Sequence, residues 1–366
     1  MNREHSNKEK GPGIFNTLRN DVQSGGHFAN LRREYRELRD FYIDSDSKAR
    51  LEEMNIVKRK MVIAWWLLKS MFFKLTPTRR LLMVLGMFFS VSGFSIQYGR
   101  ISTQDHGLLG SLLILFVLLL ELKDKLLAHS ELESGRKIQQ ALAPERSPQV
   151  LGWSLWLYTR PANEVGGDLV DFLRIGEERA GLIMADVAGK GLRAALLTAK
   201  LQATVRALAS DYDSLSAFCS KVNGIFHRDS LPSIFASLLY VEIKPDNGQV
   251  RFVNAGHMPP LVLSEQGIRE LPRGELALGL SNKAIYTEQI IDLQRGEVFF
   301  AYSDGLTEAC NEAGEFFGTE RLNKLLSQIG RSDARHIGET VTDQLDRFVG
   351  EARASDDLSL LVMKRT

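Results

Sequence analysis

Apolar side chains are spread unevenly along this chain. Residues 1–60 are polar and charged, and residues 1–30 are rich in Gly, Asn, Ser and Lys without a clear period. That pattern predicts a partly disordered segment, with a charged helical stretch over 31–60. Two long apolar runs follow, "LLMVLGMFFSVSGFSI" (Leu81–Ile96) and "GLLGSLLILFVLLLEL" (Gly107–Leu122), with no charge inside either before Glu121. Each is slightly short of the ~20 residues that cross a bilayer, but flanking residues can extend it. Neither shows the polar stripe of a surface helix. The expectation is a transmembrane hairpin, with helices at about 80–98 and 106–122 inside a membrane region over 61–122. Cationic residues (Lys58, Arg59, Lys60, Lys69, Lys74, Arg79 and Arg80) precede the first run, and Lys123 and Lys125 follow the second. By the positive-inside rule both flanks face the cytoplasm, which predicts a multi-pass protein of the inner (cytoplasmic) membrane. Residues 61–75 carry Trp65, Trp66 and Lys69 and read as an interfacial helix, with a third span left open.

Residues 123–147 predict a linker helix ended by Pro144. It reads equally as a helix pairing with a second copy in a homodimer and as a solvated connector. From 148 the pattern changes to short strands and amphipathic helices. "LGWSLWLYTRP", "RAGLIMAD", "SIFASLLYVEI", "QVRFVNAG", "PPLVLS", "EVFFAYSD" and "DLSLLVMKR" read as strands, with "GIREL" pairing with "LVLS". Leu192–Leu208, Leu215–Phe226 and two segments between Thr319 and Gly350 have helical spacing. Strands in antiparallel-looking runs, with helices in separate blocks, predict an α+β layered domain over 148–366. Trp153 and Trp156 are expected in its core.

Charge and cysteine content add exclusions. A formal net charge of +1 gives no global signature of nucleic-acid binding. The two cysteines, Cys219 and Cys310, form no disulfide framework or metal-ligand spacing and read as reduced thiols.

The candidate chemistry lies in carboxylates at predicted strand ends. "GLIMAD" ends at Asp186, "EVFFAYSD" ends at Asp304, Asp356 and Asp357 precede the last strand, and Asp168 follows two glycines in "EVGGDLVDF". Carboxylates brought to one rim repel unless cations neutralise them. Oxygen ligands without His or Cys indicate Mg²⁺ or Mn²⁺. Two such ions could ready a bridging water for attack on a phosphoryl group. In "DVAGKG", Gly189 and Gly191 let the backbone approach the metals and turn into the helix. Lys190 stands near the helix N-terminus, where anions bind. His257 in "NAGH" has two readings, as general acid for the leaving serine oxygen or as part of a turn fixed with Asn254; the clustered Asn, Gly and Pro favour the turn. No Cys or Ser nucleophile with a paired His is evident.

The ordered motifs "EVGGDLVDF", "ADVAGKGLRAAL", "FVNAGHMPPLVL", "AYSDGLTEACNEAGEFFG" and "DDLSLLV", preceded by "GRKIQQALAP", resemble the SpoIIE-type bacterial branch of the metal-dependent protein phosphatases (PPM, protein phosphatase 2C-like). The resemblance covers about residues 130–366. It implies a four-layer α/β/β/α sandwich of two antiparallel sheets with a two-metal site. By position, Asp186 would bridge both metals, the Val187 carbonyl would help hold one of them, and Asp304 and Asp356 would complete the first metal. Asp168 would serve the second, while Asp357 follows the ligand position and is expected mainly to support it. The implied activity is hydrolysis of phosphoserine or phosphothreonine on a cytoplasmic regulatory protein such as an anti-sigma-factor antagonist. The competing expectation is a degenerate domain that binds phosphoproteins and relays a signal without catalysis.

Overall fold

The computed structural model describes residues 54–92, 94–97, 100–103, 106–231 and 233–366. The segment expected to be polar and partly disordered over 1–60 therefore lies outside the described residues except at its end. The chain divides into two compact units, 1–125 and 126–366.

The first unit holds helices α1 (Ile56–Lys74) and α2 (Pro77–Ser92), a two-stranded antiparallel hairpin of β1 (Phe94–Gln97) and β2 (Arg100–Thr103), and the start of α3 (His106–Leu142). Small residues let α2 and α3 approach closely: a Cβ on Gly110 would lie 2.4 Å from the Ser90 amide nitrogen. Arg79 joins the same two helices by ion pairs of 2.7 Å to both Glu121 and Asp124.

No helix among the described residues is long and apolar enough to cross a membrane, which corrects the expected transmembrane hairpin. The physical reasons are local. Helix α2 has 16 residues, about 24 Å at 1.5 Å per residue, against a hydrocarbon core of about 30 Å. The chain leaves it at Ser92 and enters β1 where a continuing span to about 98 was expected. Helix α1 carries Lys58, Arg59, Lys60, Lys69 and Lys74. The apolar part of α3 ends at Glu121, with Lys123, Asp124 and Lys125 close behind. The linker helix expected over 123–147 is the continuation of α3, which stops at Leu142, two residues before Pro144.

The second unit contains β3 (Trp153–Arg160), β4 (Asp168–Ile175), β5 (Arg179–Val187), α4 (Leu192–Leu208), α5 (Leu215–Asp229), β6 (Ala236–Ile243) and β7 (Gln249–Ala255). It continues with β8 (Leu261–Ser264), β9 (Gly267–Glu270), β10 (Gln289–Asp292), β11 (Val298–Tyr302), α6 (Asp304–Thr307), α7 (Gly318–Ile329), α8 (Ala334–Val349) and β12 (Leu358–Arg365). Two five-stranded sheets form, ordered β10-β7-β6-β5-β4 and β3-β12-β11-β8-β9, with antiparallel pairing throughout.

Side-chain alternation explains the layering. In β5, Leu182 and Met184 point between the sheets, where they join Leu157, Phe252, Phe299 and Leu361. Ile183, Ala185 and Val187 point the other way, onto Leu201, Val205, Phe218 and Val222 of α4 and α5. In the second sheet, Phe299 and Ala301 face inward, while Phe300 and Val362 meet Leu322, Ile337 and Val341 of α7 and α8. Strands buried on both faces read as continuous apolar runs. The outcome is the expected α/β/β/α sandwich. Trp153 and Trp156 are buried in it, on opposite sides of their sheet.

Candidate active site

The same alternation places the acidic residues. Asp186 is two residues beyond Met184 and Asp168 two residues before Val170, so both continue the inward-facing series to the open end of the inter-sheet core. Strand register sets them directly opposite one another. Burial pushes the Asp168 carboxyl well above the usual carboxylate range, and the neighbouring Asp186 charge adds to it. The Ser303 and Ser359 hydroxyls pull the other way from nearby. Asp168 Oδ2 is nonetheless buried without a hydrogen-bond partner. Asp186 is raised to about 6, first by burial and then by Asp304, Asp356 and Asp357, with Lys190 opposing. Asp304 is raised by burial and by Asp356. It opens the one-turn helix α6 after the end of β11.

Asp357 holds a loop in place. Its Oδ2 accepts from the Gly167 amide at 2.6 Å and the Asp168 amide at 3.2 Å, and its Oδ1 accepts from Ala162 at 2.7 Å. The carboxylate thus buckles the "VGGD" loop onto the start of β12. Close approach explains two glycines: a Cβ on Gly166 would lie 2.7 Å from Asp357 Oδ2, and one on Gly305 2.0 Å from the Asp357 carbonyl. The Val187 carbonyl faces this loop, 3.1 Å from where a Gly167 Cβ would stand, and the Val187 amide donates to the Gly167 carbonyl at 3.3 Å.

Asp356 is about half exposed and pairs with Lys190 at 3.3 Å; Lys190 also donates to the Ser355 carbonyl at 2.7 Å. Lys190 is therefore a strap between the "VAGKG" loop and the start of β12. Gly189 and Gly191 have φ of 115° and 72°, with nothing within 4 Å of an added Cβ. Positive φ at both positions favours glycine there. His257 lies in a turn closed by reciprocal bonds: its amide donates to Asn254 Oδ1 at 2.8 Å, and Asn254 Nδ2 donates to its carbonyl at 3.1 Å.

The rim thus gathers Asp168, Asp186, Asp304, Asp356 and Asp357 from four separate segments. Among the described residues no group of three or more His, Cys, Asp or Glu forms a ready metal cluster. An orphaned buried carboxylate oxygen and mutually raised acids do fit the need for hard cations. Sequence reasoning missed the serines. Ser303 and Ser359 line Asp168, and Ser237 Oγ accepts from the Asp186 amide at 3.2 Å. Their signal is positional, since each stands at or beside the end of a strand that carries or adjoins an acid.

A family model described as Stage II sporulation protein E (SpoIIE) matches residues 176–366. Protein IcfG of Synechocystis sp. (strain ATCC 27184 / PCC 6803 / Kazusa) is 26% identical over 263 residues, covering 64% of this chain and 41% of that protein. Phosphoserine phosphatase RsbU of Bacillus subtilis (strain 168) is 27% identical over 238 residues, covering 64% of this chain and 70% of that one. The crystal structure of the RsbU and RsbW domains of Rv1364c from Mycobacterium tuberculosis matches with TM-score 0.52 and 26% identity, over 61% of this chain and 62% of that one. The SiaA-PP2C domain of Pseudomonas aeruginosa shares the fold with TM-score 0.57 and 22% identity, over 67% of this chain and 98% of that domain.

Proposed function

This chain belongs to the Stage II sporulation protein E (SpoIIE) family, and from that premise we propose that it is a metal-dependent protein phosphatase acting on phosphoserine or phosphothreonine. The observation that carries the reading is the Asp168–Asp186 pair at the inter-sheet rim, flanked by Asp304 and Asp356, with one buried carboxylate oxygen left unpaired. Those four carboxylates, with the Val187 carbonyl, would hold two divalent cations, Mn²⁺ or Mg²⁺. Such ions supply neutralisation of phosphoryl charge and acidification of water. Asp357 and the Lys190–Asp356 strap hold the loops that carry the ligands. The open backbone at Gly189–Gly191, beside the N-terminus of α4, would receive the substrate phosphate. The substrate class, a phosphorylated regulatory protein such as an anti-sigma-factor antagonist, follows from the family resemblance and from the relative named a phosphoserine phosphatase.

Cytoplasmic-membrane attachment and a homodimer through the linker part of α3, from residue 123 onward, belong to the same proposal. The first unit exposes Trp65, Phe73, Leu81, Phe88, Leu112 and Phe116, apolar bodies suited to a lipid surface beside cationic Lys58, Arg59 and Lys60.

The test is phosphate release from a phosphoserine peptide by the full-length chain with Mn²⁺. Asp186→Asn and Asp304→Asn are expected to lose at least about 100-fold in turnover while keeping the native circular dichroism spectrum, more than typical outer-shell losses around a metal. A folded wild-type chain that binds Mn²⁺ but releases no phosphate would overturn catalysis in favour of phosphoprotein binding.

A further inference from the structure

The reciprocal Asn254–His257 backbone bonds close the "NAGH" turn without using the imidazole. The ring is nevertheless 7% exposed, and burial lowers its pKa to about 4, so it is neutral near pH 7. Its Nδ1 lies 2.9 Å from Ser237 Oγ. Ser237 stands directly opposite Asp186 in the β5–β6 register, and its Oγ already accepts the Asp186 amide. The serine proton is then free to go to the imidazole, which makes Nδ1 the acceptor and leaves the ring proton on Nε2. Nε2 is buried with no hydrogen-bond partner. The Tyr302 backbone lies close enough to favour a proton on the ring. Tyr302 ends β11, two residues before Asp304. The imidazole therefore stands between the strand end that carries Asp186 and the one that leads to Asp304, in different sheets.

We propose that His257, acting through Ser237, is a positioning residue that fixes the end of β5 and so aims Asp186 at the Asp304 side of the rim. This rests on the phosphatase reading, and it assigns the ring no proton transfer to substrate. Asparagine and glutamine separate the two ring nitrogens, because an Asn amide oxygen can stand where Nδ1 stands, whereas the Gln amide reaches the position of Nε2.

The experiment uses the full-length chain with a phosphoserine peptide, Mn²⁺ calorimetry and amide hydrogen exchange at Asp186 in metal-free protein. His257→Gln and Ser237→Ala should each lose about 10–100-fold in Mn²⁺ affinity and kcat with KM nearly unchanged. His257→Asn should stay within a few-fold of wild type. The Asp186 amide should exchange faster in His257→Gln and Ser237→Ala but not in His257→Asn, and losses in the Ser237→Ala/His257→Gln double variant should not add. Equal behaviour of the Asn and Gln variants, or additive losses, would overturn the proposal; Ser237→Ala keeps the test open if a ring variant fails to fold. The exchange measurement needs no metal. A wild-type chain that neither binds Mn²⁺ nor turns over peptide would sink the phosphatase reading, while exchange still decides the strut.

Discussion

At the scale of single residues, the rim holds negative charge against its own interest. Asp186 titrates near 6 in the fold against 3.8 for a free side chain, because burial and neighbouring carboxylates disfavour its anion. The folded state therefore holds a proton that the unfolded chain has released. This group's contribution to stability is fully present below about pH 4 and is lost as pH rises through about 6. In metal-free full-length protein, the melting temperature of wild type should fall relative to Asp186→Asn between pH 4 and pH 7.5, as calorimetry would show. A gap that closes over that range would contradict the electrostatic picture. Asp168 is raised in the same direction for the same leading cause, so Asp168→Asn should also stabilise the metal-free protein at neutral pH. Bound divalent cations would reverse the balance, so Mn²⁺ affinity should weaken as pH drops through this range.

At the scale of elements, packing overrides local preference. Gly338 lies mid-way in the first half of α8, where alanine would gain about 1 kcal/mol of intrinsic helix stability. A Cβ there would stand 2.0 Å from the Trp156 ring, because α8 rides directly on β3. Overpacking typically costs about 1–3 kcal/mol, and this contact is severe. Gly338→Ala should therefore lower stability despite its better propensity, by a denaturant melt of the full chain. Arg206 offers a second case. It makes two 2.7 Å bonds to Asp171, which is completely buried on β4, and it also caps the Leu142 carbonyl at the end of α3. Breaking a buried pair costs about 3–5 kcal/mol. Since Arg206 itself is partly exposed, Arg206→Ala should cost about 2–3 kcal/mol in the same measurement. Element identity was largely legible: β5, β11 and β12 read as apolar runs, and α4 starts and ends where its spacing predicts. The short β10 and the one-turn α6 carry too few residues for a period to show, and they passed unnoticed.

At the scale of the whole molecule, the two units differ in what their apolar residues meet. Those of the second unit fill three clusters between and outside its sheets. Those of the first unit remain largely exposed, with Trp65 and Phe88 each at 65%. The full-length chain should therefore co-float with vesicles containing anionic lipid. Trp65→Ser with Phe88→Ser should reduce that binding without changing turnover on a soluble phosphoserine peptide. Unchanged flotation would argue against lipid as the cover.

By itself the sequence determined the layered class of the second unit, because strands buried on both faces must be apolar and strands half-buried must alternate. It also singled out the acids as candidates, since an ionised side chain gains nothing from burial at the end of an apolar strand. Tertiary structure alone decided which of them face one another. Register set Asp168 against Asp186, while backbone amides converging on Asp357 took its oxygens for the loop. Tertiary structure also turned the chain from α2 into a hairpin where hydropathy had extended a span. Hydropathy measures what a segment tolerates. Pairing, register and close approach depend on residues far along the chain, and no local pattern encodes them.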